Sequence, residues 1–170
     1  YSKLIQKVII ENGITSIGER AFENCKALTN IEISSDVTSI GEYAFSNCIS
    51  LINIEIPNGV TSIEMGTFQC CSSLENIKIP DSVINIGAYA FSACISLINI
   101  EIPNGANEIE SYAFKGCSNL KDIKIPSSVT SIENGAFYLC RSLTNIKLPD
   151  SINELNESVF GFCEKLENTS

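Results

Sequence analysis

A phenylalanine returns every 23 residues along this chain, at Phe22, Phe45, Phe68, Phe91, Phe114, Phe137 and Phe160. A cysteine column keeps the same step: Cys25, Cys48, Cys71, Cys94, Cys117, Cys140 and Cys163. So does a leucine column of Leu28, Leu51, Leu74, Leu97, Leu120, Leu143 and Leu166, and Ile10 returns as Ile33, Ile56, Ile79, Ile102, Ile125 and Leu148. Read from Leu51, and with small departures between copies, one unit is L-x-x-I-x-I-P-x-x-V-T-S-I-G-x-x-A-F-x-x-C-x-x. Such a period confines the chain to architectures that stack one supersecondary unit on the next. Residues 1–170 read as one domain of about seven units.

Each part of the unit has a local meaning. Ile54-Glu55-Ile56 alternates apolar and polar in the manner of a short strand with one buried face, and Pro57 ends it because proline cannot donate to a following ladder. Ala44, Phe45, Cys48 and Leu51 are spaced by three and four, which predicts a single turn of α- or 3₁₀-helix pointing them inward. Val37-Thr38-Ser39-Ile40-Gly41 fits either a second short strand or an extended turn. One rung buries too little to fold alone, so rungs must stack, with the phenylalanines as a continuous interior spine. Parallel strands about 4.8 Å apart make the stack roughly 30 Å long.

On these residues the chain resembles the leucine-rich repeat superfamily, and within it the BspA-like class, over nearly its whole length. The resemblance implies a right-handed solenoid with a parallel β-sheet on one side and short strands and single-turn helices on the other. It also implies a surface or secreted protein of a bacterium or protozoan parasite, used in adhesion and host binding. Ala106, Asn107, Glu108, Met65 and Gly66 depart from the unit and are expected to disturb their rungs locally. The start at Tyr1-Ser2-Lys3-Leu4 carries neither initiator Met nor signal-peptide layout, which suggests a segment of something longer. At the other end Thr169 occupies the slot held elsewhere by Ile146, and no polar cap follows. The segment is therefore expected to continue into further sequence or to associate end to end.

Composition narrows the chemistry. A net charge of -9 with only 11 Lys+Arg argues against nucleic acid, and no apolar run is long enough to insert in a membrane. The eight cysteines would allow four disulfides, but equivalent side chains on stacked rungs point along parallel vectors, which a disulfide cannot use. Zinc needs four ligands around one ion and not a line of them. Buried, reduced thiols are the expectation, with Cys70, outside the column, the candidate for exposure. The chain has no histidine, so Ser-His and Cys-His nucleophile pairs cannot be built, and no phosphate-cradling Gly-x-x-x-x-Gly-Lys loop occurs. No enzyme, cofactor or metal site is expected.

A binding face is the better candidate. Strand alternation exposes Asn30, Asn53, Asn76, Asn99, Asp122 and Asn145 in one column and Glu32, Glu55, Lys78, Glu101, Lys124 and Lys147 in the next. Charges alternate in the middle, which favours neighbouring rungs, and leave one end acidic and the other basic. A competing site is the slot of Tyr43, Tyr89 and Tyr112, with Arg20 in the first copy, whose alternative role is to support the turn. Sequons at Asn156 and Asn168 matter only in a secreted eukaryotic protein. The expected function is an interaction or adhesion module presenting its solenoid surface to a protein or glycan. The alternative is a structural spacer or assembly scaffold without a ligand, and reduced cysteines would also suit a cytoplasmic protein.

Overall fold

The computed structural model describes residues 4–166. In chain order the strands are β1 (Lys7–Ile10), β2 (Ser16–Ile17), β3 (Asn30–Ile33), β4 (Ser39–Ile40), β5 (Asn53–Glu55), β6 (Ser62–Ile63), β7 (Asn76–Lys78), β8 (Asn85–Ile86), β9 (Asn99–Glu101), β10 (Glu108–Ile109), β11 (Asp122–Lys124), β12 (Ser131–Ile132) and β13 (Asn145–Lys147). All pairing is parallel and joins strands one unit apart, as in Asp122↔Asn145 or Ser62↔Asn85. The result is a parallel β-solenoid of about six turns. Its longer odd-numbered strands form one face and its two-residue even-numbered strands a second. The segment Val37–Gly41, open between strand and turn, therefore contains the strand β4.

The face is one row of strands in three hydrogen-bonded groups, β1-β3, β5-β7 and β9-β11-β13. Strands β3 and β5, and β7 and β9, remain side by side across the breaks. Both breaks precede the rungs that carry Ile52 and Ile98. On the second face β2-β4 and β6-β8-β10-β12 pair.

The third side of each rung is not helical, contrary to the reading of Ala44, Phe45, Cys48 and Leu51 as a helical turn. Three amides close local turns: Ala44 N–H to Gly41 O at 3.2 Å, Ser46 N–H to Tyr43 O at 3.0 Å and Cys48 N–H to Phe45 O at 3.1 Å. The amides between them leave the rung and donate onward: Tyr43 to Met65 O at 2.9 Å, Phe45 to Thr67 O at 2.9 Å and Asn47 to Gln69 O at 2.8 Å. A helix would spend every amide within its own rung. Two residues per turn run also take positive φ, Tyr43 at 54° and Asn47 at 59°, which a right-handed helix excludes. Each closes the third position of a four-residue turn, where a type II turn demands φ > 0. Amides of this side thus donate toward the C-terminal rung, whereas on the second face Thr38 N–H donates backward to Thr15 O and Gly41 N–H to Ile17 O.

This geometry corrects the expectation that Met65 and Gly66 interrupt their rung. Gly66 lies at φ 60° in the slot of Arg20 (56°), Tyr43 (54°), Tyr89 (57°), Tyr112 (60°), Gly135 (60°) and Ser158 (60°), and its N–H reaches Ala88 O at 2.9 Å as those of Arg20, Tyr43, Tyr89 and Tyr112 reach the next rung. The Asn107 rung is equally regular: Asn107 donates to Ile84 O and accepts from Thr130, Glu108 lies in β10, and Ala106 is fully buried. Gly66→Val places a β-branched side chain at positive φ and drives its Cβ into the Tyr43 ring. The expected cost is about 2–3 kcal/mol from the two effects together, read as a drop in urea midpoint. A loss below about 0.5 kcal/mol, the scatter of ordinary surface changes, would contradict the left-handed turn.

The interior is one continuous column. Phe22 to Phe160 stack in sequence with ring centroids 5.3–5.7 Å apart and interplanar angles of 3–15°. Phe45, Phe68, Phe91, Phe114 and Phe137 are fully buried, and Phe22 and Phe160 are half-buried at the ends. The slot of Thr169 and the sequon at Asn168 lie outside the described residues.

Candidate functional site

The two polar columns stand on the outer side of the odd-numbered strands because Ile31, Ile54, Ile77, Ile100, Ile123 and Ile146 take the inner side, each at most 8% exposed. Asn30, Asn53, Asn76, Asn99, Asp122 and Asn145 are exposed, as are Glu32, Glu55, Lys78, Glu101, Lys124 and Lys147. Strand register sets them side by side: Asn53 beside Asn76, Glu55 beside Lys78, Asp122 beside Asn99 and Asn145, Lys124 beside Glu101 and Lys147. An open groove of about 980 Å³ runs over β3, β5, β7 and β9 as far as Lys124 of β11, with Asp81, Pro103, Asn104 and Pro126 from the turns that follow the strands also lining it; Asp122, Asn145 and Lys147 lie beyond it.

Past Glu32, the charges of this face do not neutralise one another by contact. Lys7 Nζ pairs with Glu32 Oε1 at 2.6 Å, but among the described residues Glu55, Lys78, Glu101, Asp122, Lys124 and Lys147 form no ion pair. The alternating middle of the column therefore acts only through space, across solvent. Its groups keep their hydrogen-bonding capacity for something else.

The cysteine column has a role that residue type alone did not disclose. From Cys48 onward each thiol of the column donates to the carbonyl of the phenylalanine one rung back: Cys48 Sγ to Phe22 O, Cys71 to Phe45 O, Cys94 to Phe68 O and Cys117 to Phe91 O, all at 3.1 Å, then Cys140 to Phe114 O and Cys163 to Phe137 O at 3.2 Å. The same carbonyl accepts an amide from within its rung, so both of its lone pairs are used. All eight cysteines are free. Burial pushes the Cys48 and Cys117 thiols up to about 12 and holds Cys71, Cys94 and Cys140 far above the ordinary range, so none is a thiolate nucleophile near neutral pH. Cys70 is half-exposed at φ 59°, its N–H bonded to Ser92 O.

The tyrosines are committed to the turns. Arg20 lies over the Tyr43 ring at 4.7 Å and Tyr43 covers Gly66. Tyr89 and Tyr112 stack at 5.2 Å, and Tyr112 covers Gly135. Lys115 Nζ sits 5.1 Å from the Tyr112 centroid and 5.8 Å from that of Tyr138. Ring faces are thus used within the chain. At the first sequon Asn156 Nδ2, the atom a glycan would occupy, donates to Ile132 O at 3.2 Å.

Comparison with known proteins agrees with this geometry. The BspA type leucine rich repeat region, in 6 copies, matches residues 1–104 and 84–170. The chain belongs to the BspA-type leucine-rich repeat family. Among solved structures, the Leucine Rich Repeat protein of T. pallidum is 32% identical, with 96% of this chain matched to 78% of that one at a TM-score of 0.85. A leucine rich cell surface protein of Faecalibacterium prausnitzii A2-165 is 29% identical, with 96% of this chain matched to 59% of that one at a TM-score of 0.69. The pneumococcal vaccine antigen PcpA, at 18% identity and a TM-score of 0.64 over 96% of this chain and 56% of its own, shares the fold. No curated protein matches the chain. BspA-type repeat proteins generally serve as interaction or adhesion modules. Among the described residues no helix is long and apolar enough to cross a membrane, and no cluster of three or more His, Cys, Asp or Glu could hold a metal ion.

Proposed function

We propose that the chain is a non-catalytic interaction module of a cell-surface protein, and that its odd-strand face engages a protein bearing charges of both signs. The observation that carries this is the groove of about 980 Å³ lined by Asn30, Asn53, Asn76 and Asn99 and by Glu55, Lys78, Glu101 and Lys124, charges of both signs that form no ion pair among the described residues. A rigid stack presents those groups without an ordering cost at the moment of binding, which favours an extended partner. The surface location draws on the leucine rich cell surface protein of F. prausnitzii. A neutral glycan would use the asparagines and leave the charges idle.

The reading is tested on an array of mixed-charge, neutral and single-sign peptides together with neutral glycans. Binding is expected to concentrate on mixed-charge peptides. The quadruple variant Glu32→Gln, Glu55→Gln, Lys124→Gln, Lys147→Gln should lose about tenfold or more, since each charge contact contributes a few tenths to one kcal/mol. Undiminished binding by that variant would reject the face.

A further inference from the structure

The charge order of the face inverts when read backwards. From β3 to β13, past the uncharged Ile9 of β1, the column runs Glu32, Glu55, Lys78, Glu101, Lys124, Lys147, that is minus, minus, plus, minus, plus, plus. Reversed, it is plus, plus, minus, plus, minus, minus, the opposite sign at every position. We propose that this face docks onto the same face of a second copy of the chain, with the two solenoids antiparallel. The inference rests on the face being the interaction surface and adds the partner.

A twofold axis running along the strand direction, midway between β7 and β9, generates the arrangement. It reverses the stacking direction and leaves each column opposite itself. Glu32 then meets Lys147 of the second copy, Glu55 meets Lys124 and Lys78 meets Glu101, each contact occurring twice. The neighbouring column obeys the same operation. Asn30 meets Asn145, Asn76 meets Asn99 and Asn53 meets Asp122; an amide both donates and accepts, so amide–amide and amide–carboxylate contacts are satisfied. An axis along the stack would instead set every charge against its own copy, six like-charged contacts in place of six opposite ones. The column therefore selects one orientation and penalises the other.

The inner contacts carry most of the attraction, because Glu55, Lys78, Glu101 and Lys124 are unpaired in the single chain whereas Glu32 is already held by Lys7. The face is small, about 24 Å along the stack and about 10 Å across. That places the contact among weak, wet, transient interfaces. The -9 charge of each copy opposes approach, but beyond about 8 Å it is screened at physiological ionic strength, which the short-range contacts largely escape.

Sedimentation equilibrium of the 170-residue chain, from about 10 μM to about 1 mM, should show reversible monomer–dimer exchange. E55K and K124E alter exposed groups, so folding is not at stake. Each alone opposes like charges at two symmetry-related contacts and should weaken association about tenfold. An equimolar mixture of the two variants should associate as tightly as the unaltered chain, because each supplies the charge the other has lost. A strictly monomeric chain at about 1 mM overturns the proposal. So does a dimer indifferent to both reversals, or one that mixing fails to restore. Persistent, charge-dependent binding to the peptide array by a monomeric chain would remove the second copy as partner and leave the proposed function standing; loss of both would remove the face itself.

Discussion

Moving the chain from about pH 8 to about pH 10 is expected to remove about 7 kcal/mol of stability and unfold much of it. Five thiols, those of Cys48, Cys71, Cys94, Cys117 and Cys140, are fully buried and titrate far above the ordinary value of 9.0. Their folded-state values are raised, so the native state keeps the protons that the unfolded chain gives up. Below about pH 9 neither state ionises them and the full stability is present. Above it each thiol favours the unfolded chain by about 1.4 kcal/mol per pH unit, until the folded values are reached from about 12 upward. Five such groups together rival the whole 5–15 kcal/mol typical of a domain. Urea midpoints taken under reductant between these pH values provide the measurement. Replacing Cys94 and Cys117 by alanine lowers stability near neutral pH but should remove about two-fifths of the alkaline slope. A stability curve flat to pH 10, or a slope unaltered in the double variant, would show that the column does not hold neutral thiols.

Phe91→Ala should cost about 3–5 kcal/mol, the range for deleting a fully buried aromatic ring. Phe91 packs on Phe68 at 5.4 Å and on Phe114 at 5.3 Å, and no exposed side exists toward which the rungs could relax. Phe22→Ala provides the internal comparison. Its ring is half-buried and, among the described residues, stacks only on Phe45, so the loss should be clearly smaller. Equal losses at the two positions would mean that the spine does not act as a shared interior.

How much of this could be read beforehand differs from element to element. The alternation Ile54-Glu55-Ile56 contains its own answer, since a two-residue period in β-branched residues has one buried face, and the constant step of the phenylalanines leaves stacking as its economical explanation. The third side of the rung misled for a physical reason. A four-residue turn also spans three residues from end to end, as Phe45 to Cys48 and Cys48 to Leu51 do, so Ala44, Phe45, Cys48 and Leu51 face inward with no helix. The telling residues were Gly66 and Gly135 in one slot and Asn24, Asn47 and Gly116 in another, the types that tolerate positive φ. Tyr43, Tyr89 and Tyr112 share the first slot and made it look like an aromatic column. The thiol donors left no trace because cysteine reads simply as small and apolar. For the odd-strand face, alternation places both polar columns outward, but whether Glu55 and Lys78 touch depends on side-chain reach, which no pattern encodes.

The opposed donation of the backbone amides bears on how such a stack is polarised. In an α-helix every peptide points the same way, and the ends acquire opposite partial charges. Here the turn side sends alternate N–H groups toward the C-terminal rung while amides flanking the even strands point back, so these two sets of peptide moments oppose each other along the long direction. Each rung added to the stack brings opposed moments and not, as in a helix, aligned ones. Whatever electrical direction the molecule possesses is written in ionisable side chains, and can be rewritten one rung at a time without touching the scaffold.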